Sequence, residues 1–101
     1  MPTTILDTTV LSNFAHIRRP DLLQLALGED AFTTSVVLAE LRSGETLGLV
    51  PRCDWRWLTV VELTDEEQNL AASFSAQLDA GESACLAVAR SRAWMLSLIH
   101  I

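Results

Sequence analysis

The chain has 101 residues, a formal net charge of −6 and a hydrophobic content of 50%. That length supports one modest core, so we expect a single domain spanning residues 1–101. All seven basic residues are arginines, and the absence of lysine excludes a P-loop lysine, a Schiff-base lysine and the lysine of haloacid-dehalogenase-type phosphatases. The acidic balance argues against a surface that coats nucleic acid broadly, although a local arginine patch is compatible with it.

The chain carries no sequence signal for membrane insertion or secretion. Its apolar runs, such as Ser35 to Ala39 and Trp94 to Ile101, are far shorter than the ~20 residues that cross a bilayer. No basic region precedes an apolar stretch at the start, so we expect a cytoplasmic protein. Cys53 and Cys85 have neither metal-ligand spacing nor a disulfide framework, and we interpret both as small hydrophobic residues.

Four short β-prone segments occur along the chain. The first is Ile5-Leu6, which ends at Asp7, and the second is Ala31 to Thr34. The run from Trp57 to Leu63 has the clearest strand pattern, and Trp94 to Ile101 is a last apolar run. Helical patterns separate these segments, which predicts an α/β layer structure.

Two helices are expected between the first two strands. Val10, Leu11, Phe14 and Ile17 recur at helical spacing and predict a first helix from Thr9 to Ile17, with Thr8 or Thr9 as its N-cap. A second helix has Pro20 near its first turn and ends at Gly28.

Three further helices are expected later in the chain. One runs from Val36 to Arg42, with Ser35 as N-cap and Ser43-Gly44 as its end, followed by a loop over residues 45–54. Another begins after Thr64, with Glu67 completing a capping box, and runs to about Leu78. The last begins at Asp79, ends at Ser91-Arg92 and is apolar nearly all round, so it is expected to be buried.

Three acidic residues stand in apolar settings: Asp7 after a strand, Glu40 inside a helix, and Glu82 at the start of the most apolar helix. Each has a purely structural interpretation. Asp7 would cap the first helix, Glu40 would face solvent, and Glu82 would form a capping pair with Asp79. In the alternative interpretation all three converge at the carboxyl ends of parallel strands.

Convergence of the three carboxylates would have a large electrostatic consequence. At ~5 Å, each pair repels by roughly 3 kcal/mol at an effective dielectric constant of ~20, so three pairs cost on the order of 10 kcal/mol. A native domain has only about 5–15 kcal/mol of net stability, so such a cluster requires protonation or a cation. Oxygen ligands favour Mg²⁺ or Mn²⁺ over zinc.

Three segments resemble the acidic motifs of PIN-domain ribonucleases, in the same order along the chain. They are Ile5 to Phe14, Val36 to Leu41, and Gly81 to Ala89, the last resembling the subgroup that has Glu at this position. The resemblance implies a three-layer α/β PIN-like fold. Its central sheet would be parallel, with four strands in the order 3-2-1-4 and Asp7 at the end of the central strand.

The same resemblance implies a function. The chain is similar to the VapC ribonuclease toxins of toxin–antitoxin pairs, with RNA as substrate and a cognate antitoxin as partner. On that basis Asp7, Glu40 and Glu82 are the catalytic residues and hold Mg²⁺ or Mn²⁺, while Thr9 and Asn13 support the site. Some of the arginines are candidate phosphate contacts: Arg18, Arg19, Arg42 and Arg52.

One departure from the family pattern lies near the end of the chain. After the strand at Trp94 to Leu96, the family normally has a Thr-Asp-Asp-like motif, a helix and a final strand. Here the chain reads Ser97 to Ile101, without the fourth acidic residue. We therefore expect a truncated fold that lacks the last helix and strand, with an apolar edge that favours a homodimer or aggregation. His100, near the missing acidic position, is not expected to bind metal.

Two alternatives to the nuclease hypothesis remain open. A catalytically impaired or dead PIN-like module would bind antitoxin or RNA without cleavage, as the missing fourth acidic residue suggests. A phosphotransfer receiver domain is the second alternative. A receiver domain normally contains a lysine at its phosphorylation site, and this chain has no lysine.

Overall fold

A computed structural model of the protein describes residues 3–97. Short strands alternate with helices from the first described residues onward, as the sequence pattern predicts. In chain order the elements are β1 (Thr4–Leu6), α1 (Thr8–His16), α2 (Pro20–Leu27), a 3-10 turn (Gly28–Asp30), β2 (Ala31–Thr34), α3 (Ser35–Thr46), β3 (Thr59–Val61), α4 (Asp65–Phe74), α5 (Ala80–Arg92) and β4 (Met95–Ser97).

The four strands form one parallel sheet in the order β3-β2-β1-β4. β1 is central, and Thr4 lies opposite Ala31 of β2 on one side and Met95 of β4 on the other. All three residues of β1 are buried, as expected for a parallel strand between two neighbours. With the right-handed crossovers usual for parallel strands, this order assigns α1–α3 to one face and α4–α5 to the other. The predicted α/β class and strand order are confirmed.

α1 begins one residue earlier than the sequence pattern predicts, and the predicted N-cap at Thr8 or Thr9 is wrong. Asp7 is the N-cap: its backbone is extended, and its Oδ1 accepts a hydrogen bond from the Val10 amide at 3.1 Å. The helix starts directly after β1 without a connecting turn, so the first side chain beyond the strand is the one that can reach the exposed amides.

Both predicted ends of α3 also need correction. Thr34, not Ser35, is the N-cap, since its Oγ1 accepts a hydrogen bond from the Val37 amide at 3.1 Å. The helix passes through Gly44 and ends at Thr46. A Cβ at Gly44 would lie 2.9 Å from Cγ2 of Val50. The glycine therefore makes room for the following loop and does not end the helix.

Two elements are shorter than the sequence predicts. β3 covers only Thr59–Val61 of the expected run, and within residues 3–97 it is an edge strand that pairs with β2. The capping box at Thr64 and Glu67 is confirmed, but α4 ends at Phe74. Ser73 and Ser75 donate hydrogen bonds to backbone carbonyls of the last turn, an interaction that competes with helix continuation.

The core lies between the sheet and the helices, and α5 is its most buried helix, as predicted. α5 buries small and apolar side chains along most of its length, including Cys85. A partly buried ion pair joins α4 to the end of α5: Arg92 donates hydrogen bonds to both carboxylate oxygens of Glu67, each at 2.8 Å. The largest apolar residues of the core are Ile5, Leu6, Val10, Leu11, Leu23, Val37, Leu41, Trp55, Leu58 and Val88.

Some predictions concern parts of the chain that the structure does not describe. His100 and the rest of residues 98–101 lie outside the described residues, so the predicted apolar edge is described only as far as β4. Within residues 3–97, both cysteines are free, and no helix combines the length and apolar character that membrane crossing requires.

Candidate acidic site

Three helices begin close together at the carboxyl edge of the sheet. β1 and β2 end side by side, and Thr33 at the end of β2 donates a hydrogen bond to the Leu6 carbonyl at 2.8 Å. α1 and α3 follow these two strands without a loop. The first turn of α5 reaches the same place, because Gly81 packs against Glu40 of α3 and Thr8 of α1.

Asp7 is the innermost of the acidic residues, with 1% of its surface exposed. Its Oδ1 accepts the hydrogen bond from Val10, so the side chain is fixed by the start of α1. The N-terminus of a helix favours an ionised carboxylate, because unpaired amides and the helix dipole are positive there. Its structural interpretation as a helix cap is therefore correct, and it does not exclude a second role.

Glu40 lies in the second turn of α3 and is half-buried. Its Oε1 accepts a hydrogen bond from Oγ1 of Thr8 at 2.7 Å. The carboxylate fills the space beside Gly81, where an added Cβ would overlap Oε1 and lie 3.0 Å from Cδ. The interpretation of Glu40 as a solvent-facing residue is wrong, because its carboxylate contacts two other helices.

Glu82 lies in the first turn of α5, where its backbone amide donates to Oδ1 of Asp79 at 2.8 Å. Asp79 is therefore the N-cap, and this bond is one half of the expected capping pair. Side-chain hydrogen bonding with Asp79 raises the pKa of Glu82, and burial and the charges of Asp79 and Asp7 act in the same direction. Glu82 is thus within electrostatic range of Asp7, although the two residues are far apart in sequence.

Cys85 of α5 is buried near these acidic residues, and their charges affect the pKa of its thiol. Burial raises the pKa of its thiol to about 12, and the charges of Asp7, Glu40 and Asp79 contribute. The thiol is therefore protonated at neutral pH, and it donates to the Leu6 carbonyl at 3.6 Å. A protonated, buried thiol is neither a nucleophile nor a metal ligand, in agreement with its interpretation as a small hydrophobic residue.

The carboxylate oxygens of the three acidic residues suit a hard divalent cation in their chemistry. Their present positions do not form a metal site. Asp7, Glu40 and Glu82 offer only carboxylate oxygens, the ligands that Mg²⁺ and Mn²⁺ prefer. The ion pairs within residues 3–97 include neither Glu40 nor Glu82. In the same part of the chain, however, no three His, Cys, Asp or Glu side chains are arranged to hold a metal ion.

The supporting roles predicted for Thr9 and Asn13 stay predictions. Both residues are half-buried on α1, and their side chains form no hydrogen bond among those described for residues 3–97. The hydroxyl that contacts an acidic residue belongs to Thr8. Sequence reasoning assigned Thr8 only a capping role, because two adjacent threonines give no signal of which one faces another helix.

Two of the four candidate phosphate-binding arginines are already paired. Arg19 pairs with Asp21 at 2.9 Å, and Arg42 pairs with Glu45 at 3.1 Å. Arg18 and Arg52 form no ion pair within the described part of the chain and are exposed. These two are therefore the better candidates for contact with a phosphate.

Comparison with known proteins gives one match. A family model described as a PIN domain matches residues 3–99, which is nearly the whole chain. The match includes all three acidic residues of the candidate site and both strands that position them. No curated protein and no solved structure gave a significant match.

Proposed function

This chain belongs to the PIN-domain family, and on that basis we propose that it is a metal-dependent endoribonuclease, the VapC-type toxin of a toxin–antitoxin pair. PIN domains are generally nucleases that use divalent metal ions, so a nuclease-type function follows from the family. RNA as substrate, Mg²⁺ or Mn²⁺ as cofactor and the toxin role are the specific parts of the proposal.

The observation that supports the proposal most strongly is the gathering of acidic residues from three helices at one edge of the sheet. Asp7 begins α1, Glu40 lies on α3 and Glu82 lies in the first turn of α5. In the proposal these three carboxylates hold the cation. A divalent ion held there would activate a water molecule and neutralise charge on the phosphodiester.

The residues of the chain supply position and charge. Asp7 accepts a hydrogen bond from the Val10 amide at the start of α1, and Thr8 donates one to the carboxylate of Glu40. Asp79 and Asp7 raise the pKa of Glu82, which means that its ionised form is destabilised without a positive partner. A cation would relieve this repulsion, because an opposite charge favours the ionised carboxylate.

The partners follow from the same site. An antitoxin would inhibit the enzyme by placing a basic side chain among Asp7, Glu40 and Glu82. Arg18 and Arg52 are candidates to contact the RNA backbone, where arginine neutralises phosphate charge. We also expect a cytoplasmic protein that forms a homodimer. Sedimentation velocity over a range of protein concentrations tests the dimer directly.

RNA cleavage in the presence of Mg²⁺ or Mn²⁺ tests the function. We expect cleavage by the wild-type chain, none with a chelator, and a loss of at least about 100-fold in Asp7→Asn, since removing a ligand costs at least as much as removing the groups that orient it. Asparagine keeps the helix cap, so a loss reports the missing charge. Glu66→Gln is the matched control, because Glu66 is exposed in the first turn of α4.

Two results would contradict the proposal. Equal cleavage by wild type and Asp7→Asn would exclude this site as the source of activity. RNA or antitoxin binding by a well-folded wild-type chain, with no metal-dependent cleavage of any RNA tested, would identify a non-catalytic PIN-domain module.

A further inference from the structure

We propose that Thr8 and Gly81 are positioning residues that fix the carboxylate of Glu40. The expected effect of these residues on metal affinity rests on the proposed function. Its structural basis is independent, because it lies in contacts between α1, α3 and α5 that exist without a metal ion.

The first contact is the hydrogen bond from Thr8 to Glu40. At 2.7 Å from Oγ1 to Oε1, it has the short length of a hydroxyl bond to a charged acceptor, which is about twice as strong as a neutral one. Thr8 is the first residue of α1, whose start is fixed by the Asp7 cap. The hydroxyl is therefore held in place, and it sets the orientation of a carboxylate that would otherwise sample many rotamers.

The second contact is the close packing of Glu40 on Gly81. Gly81 is absent from the glycines with positive φ, which are Gly28 and Gly48, so its backbone conformation does not require glycine. What requires glycine is space. A Cβ at this position would overlap Oε1 of Glu40 and lie 3.1 Å from Oγ1 of Thr8, so any larger residue would displace the carboxylate and disturb the hydrogen bond.

Together the two contacts act on the same oxygen of Glu40, Oε1. Thr8 attracts one oxygen, and Gly81 allows α5 to approach until the carboxylate has little room to move. Glycine inside the first turn of a helix lowers helix propensity, and nearby apolar positions of α5 use alanine, at Ala84 and Ala87. The glycine at position 81 therefore allows the close contact with Glu40 and does not stabilise the helix.

Mn²⁺ titration by calorimetry, without RNA, tests the effect on the site. Thr8→Val removes the hydroxyl and keeps the shape, so we expect Mn²⁺ affinity to fall by about 10–100-fold, as for other groups that orient metal ligands. Thr8→Ser restores the hydroxyl and should bind within about threefold of wild type. Thr46→Val is the control, because the Thr46 hydroxyl donates only to the Arg42 carbonyl on an exposed turn.

A double-mutant cycle tests the contacts in the metal-free protein. We expect Thr8→Val and Glu40→Ala to be non-additive in urea unfolding, because both remove the same hydrogen bond. Gly81→Ala should be less favourable to stability in wild type than in a Glu40→Ala background, because alanine gains the same helix propensity in both and overlaps Oε1 only in wild type. Additive effects in both cycles, or unchanged Mn²⁺ affinity in Thr8→Val, would overturn the inference. A wild-type chain that binds no Mn²⁺ but shows both couplings contradicts the proposed metal site and supports the positioning contacts.

Discussion

At the scale of single residues, Asp7 combines two roles that sequence reasoning treats as alternatives. Its Oδ1 caps α1, and its charge raises the pKa values of both Glu82 and Cys85. The two roles are compatible because a carboxylate has two oxygens and about four lone-pair directions. The cap fixes the side chain at 1% exposure, which provides the rigidity that a binding site requires.

Substitutions at Asp7 should separate these roles. Asp7→Ala removes the cap and should lower the free energy of unfolding by about 1 kcal/mol, whereas Asp7→Asn keeps a capping oxygen and should stay within about 0.5 kcal/mol of wild type. Urea denaturation of the metal-free proteins measures both values. If both variants were equally destabilised, the carboxylate charge and not the cap would be the important feature of the folded state.

At the scale of secondary-structure elements, the sequence predicted the starts of α1 and α3 to within one residue but with the wrong N-caps, and it predicted several ends poorly. Starts are marked by local chemistry, as in the capping box of Thr64 and Glu67, which the structure confirms. Ends depend on tertiary packing: α3 passes through Gly44, where Val50 of the following loop packs, and within residues 3–97 β3 lies at the edge of the sheet beside β2. No local pattern contains that information, since the deciding contacts come from residues distant in the sheet or in a loop.

The end of α5 contains a strained residue that offers a direct test. Ala93 has φ 55° and ψ 40°, a left-handed conformation that costs about 1 kcal/mol for a residue with a Cβ. Ala93→Gly should therefore raise the free energy of unfolding by up to about 1 kcal/mol. Ala72→Gly, on the exposed side of α4, is the matched control and should lower it by about 1 kcal/mol. A decrease in both variants would contradict the strain argument.

The ion pair between α4 and α5 should make stability depend on pH. Hydrogen bonding with Arg92 lowers the pKa of Glu67 from its ordinary 4.5 to about 2. Because the folded-state pKa is depressed, this contribution is complete above about pH 4.5 and is lost as the pH falls toward 2.

Glu67→Gln isolates the charge in this pair, since glutamine can still complete the capping box. We expect it to lower the free energy of unfolding at pH 7 by roughly 1–3 kcal/mol, because it leaves Arg92 without its charged partner. It should also flatten the acid dependence between pH 4.5 and 2, measured by urea denaturation at each pH. If the pH dependence of the unfolding free energy were the same in Glu67→Gln and wild type, other carboxylates would be its cause.

At the scale of the whole molecule, the sheet order explains why the helices that carry residues 7, 40 and 82 begin at one edge of the sheet. Parallel strands β1 and β2 place the starts of α1 and α3 side by side, and α5 reaches the same edge from the later part of the chain. The motif order and its resemblance to PIN domains predicted that the three carboxylates converge on a metal ion, and this stays a prediction, since no three His, Cys, Asp or Glu side chains of residues 3–97 are arranged to hold one. The contacts of Thr8 and Gly81 were not predictable, because they depend on distances of a few tenths of an ångström between three helices.

Metal binding should also stabilise the whole domain. A ligand that binds only the folded state adds RT ln(1 + [L]/Kd), or about 2.7 kcal/mol at 100 times Kd. Mn²⁺ in that excess should raise the melting temperature of wild type and leave that of Asp7→Asn nearly unchanged. Na⁺ at equal ionic strength is the control, since a protein with net charge −6 gains some stability from screening alone. If Mn²⁺ raised both melting temperatures equally, its effect would be screening, and the acidic edge would not be a metal site.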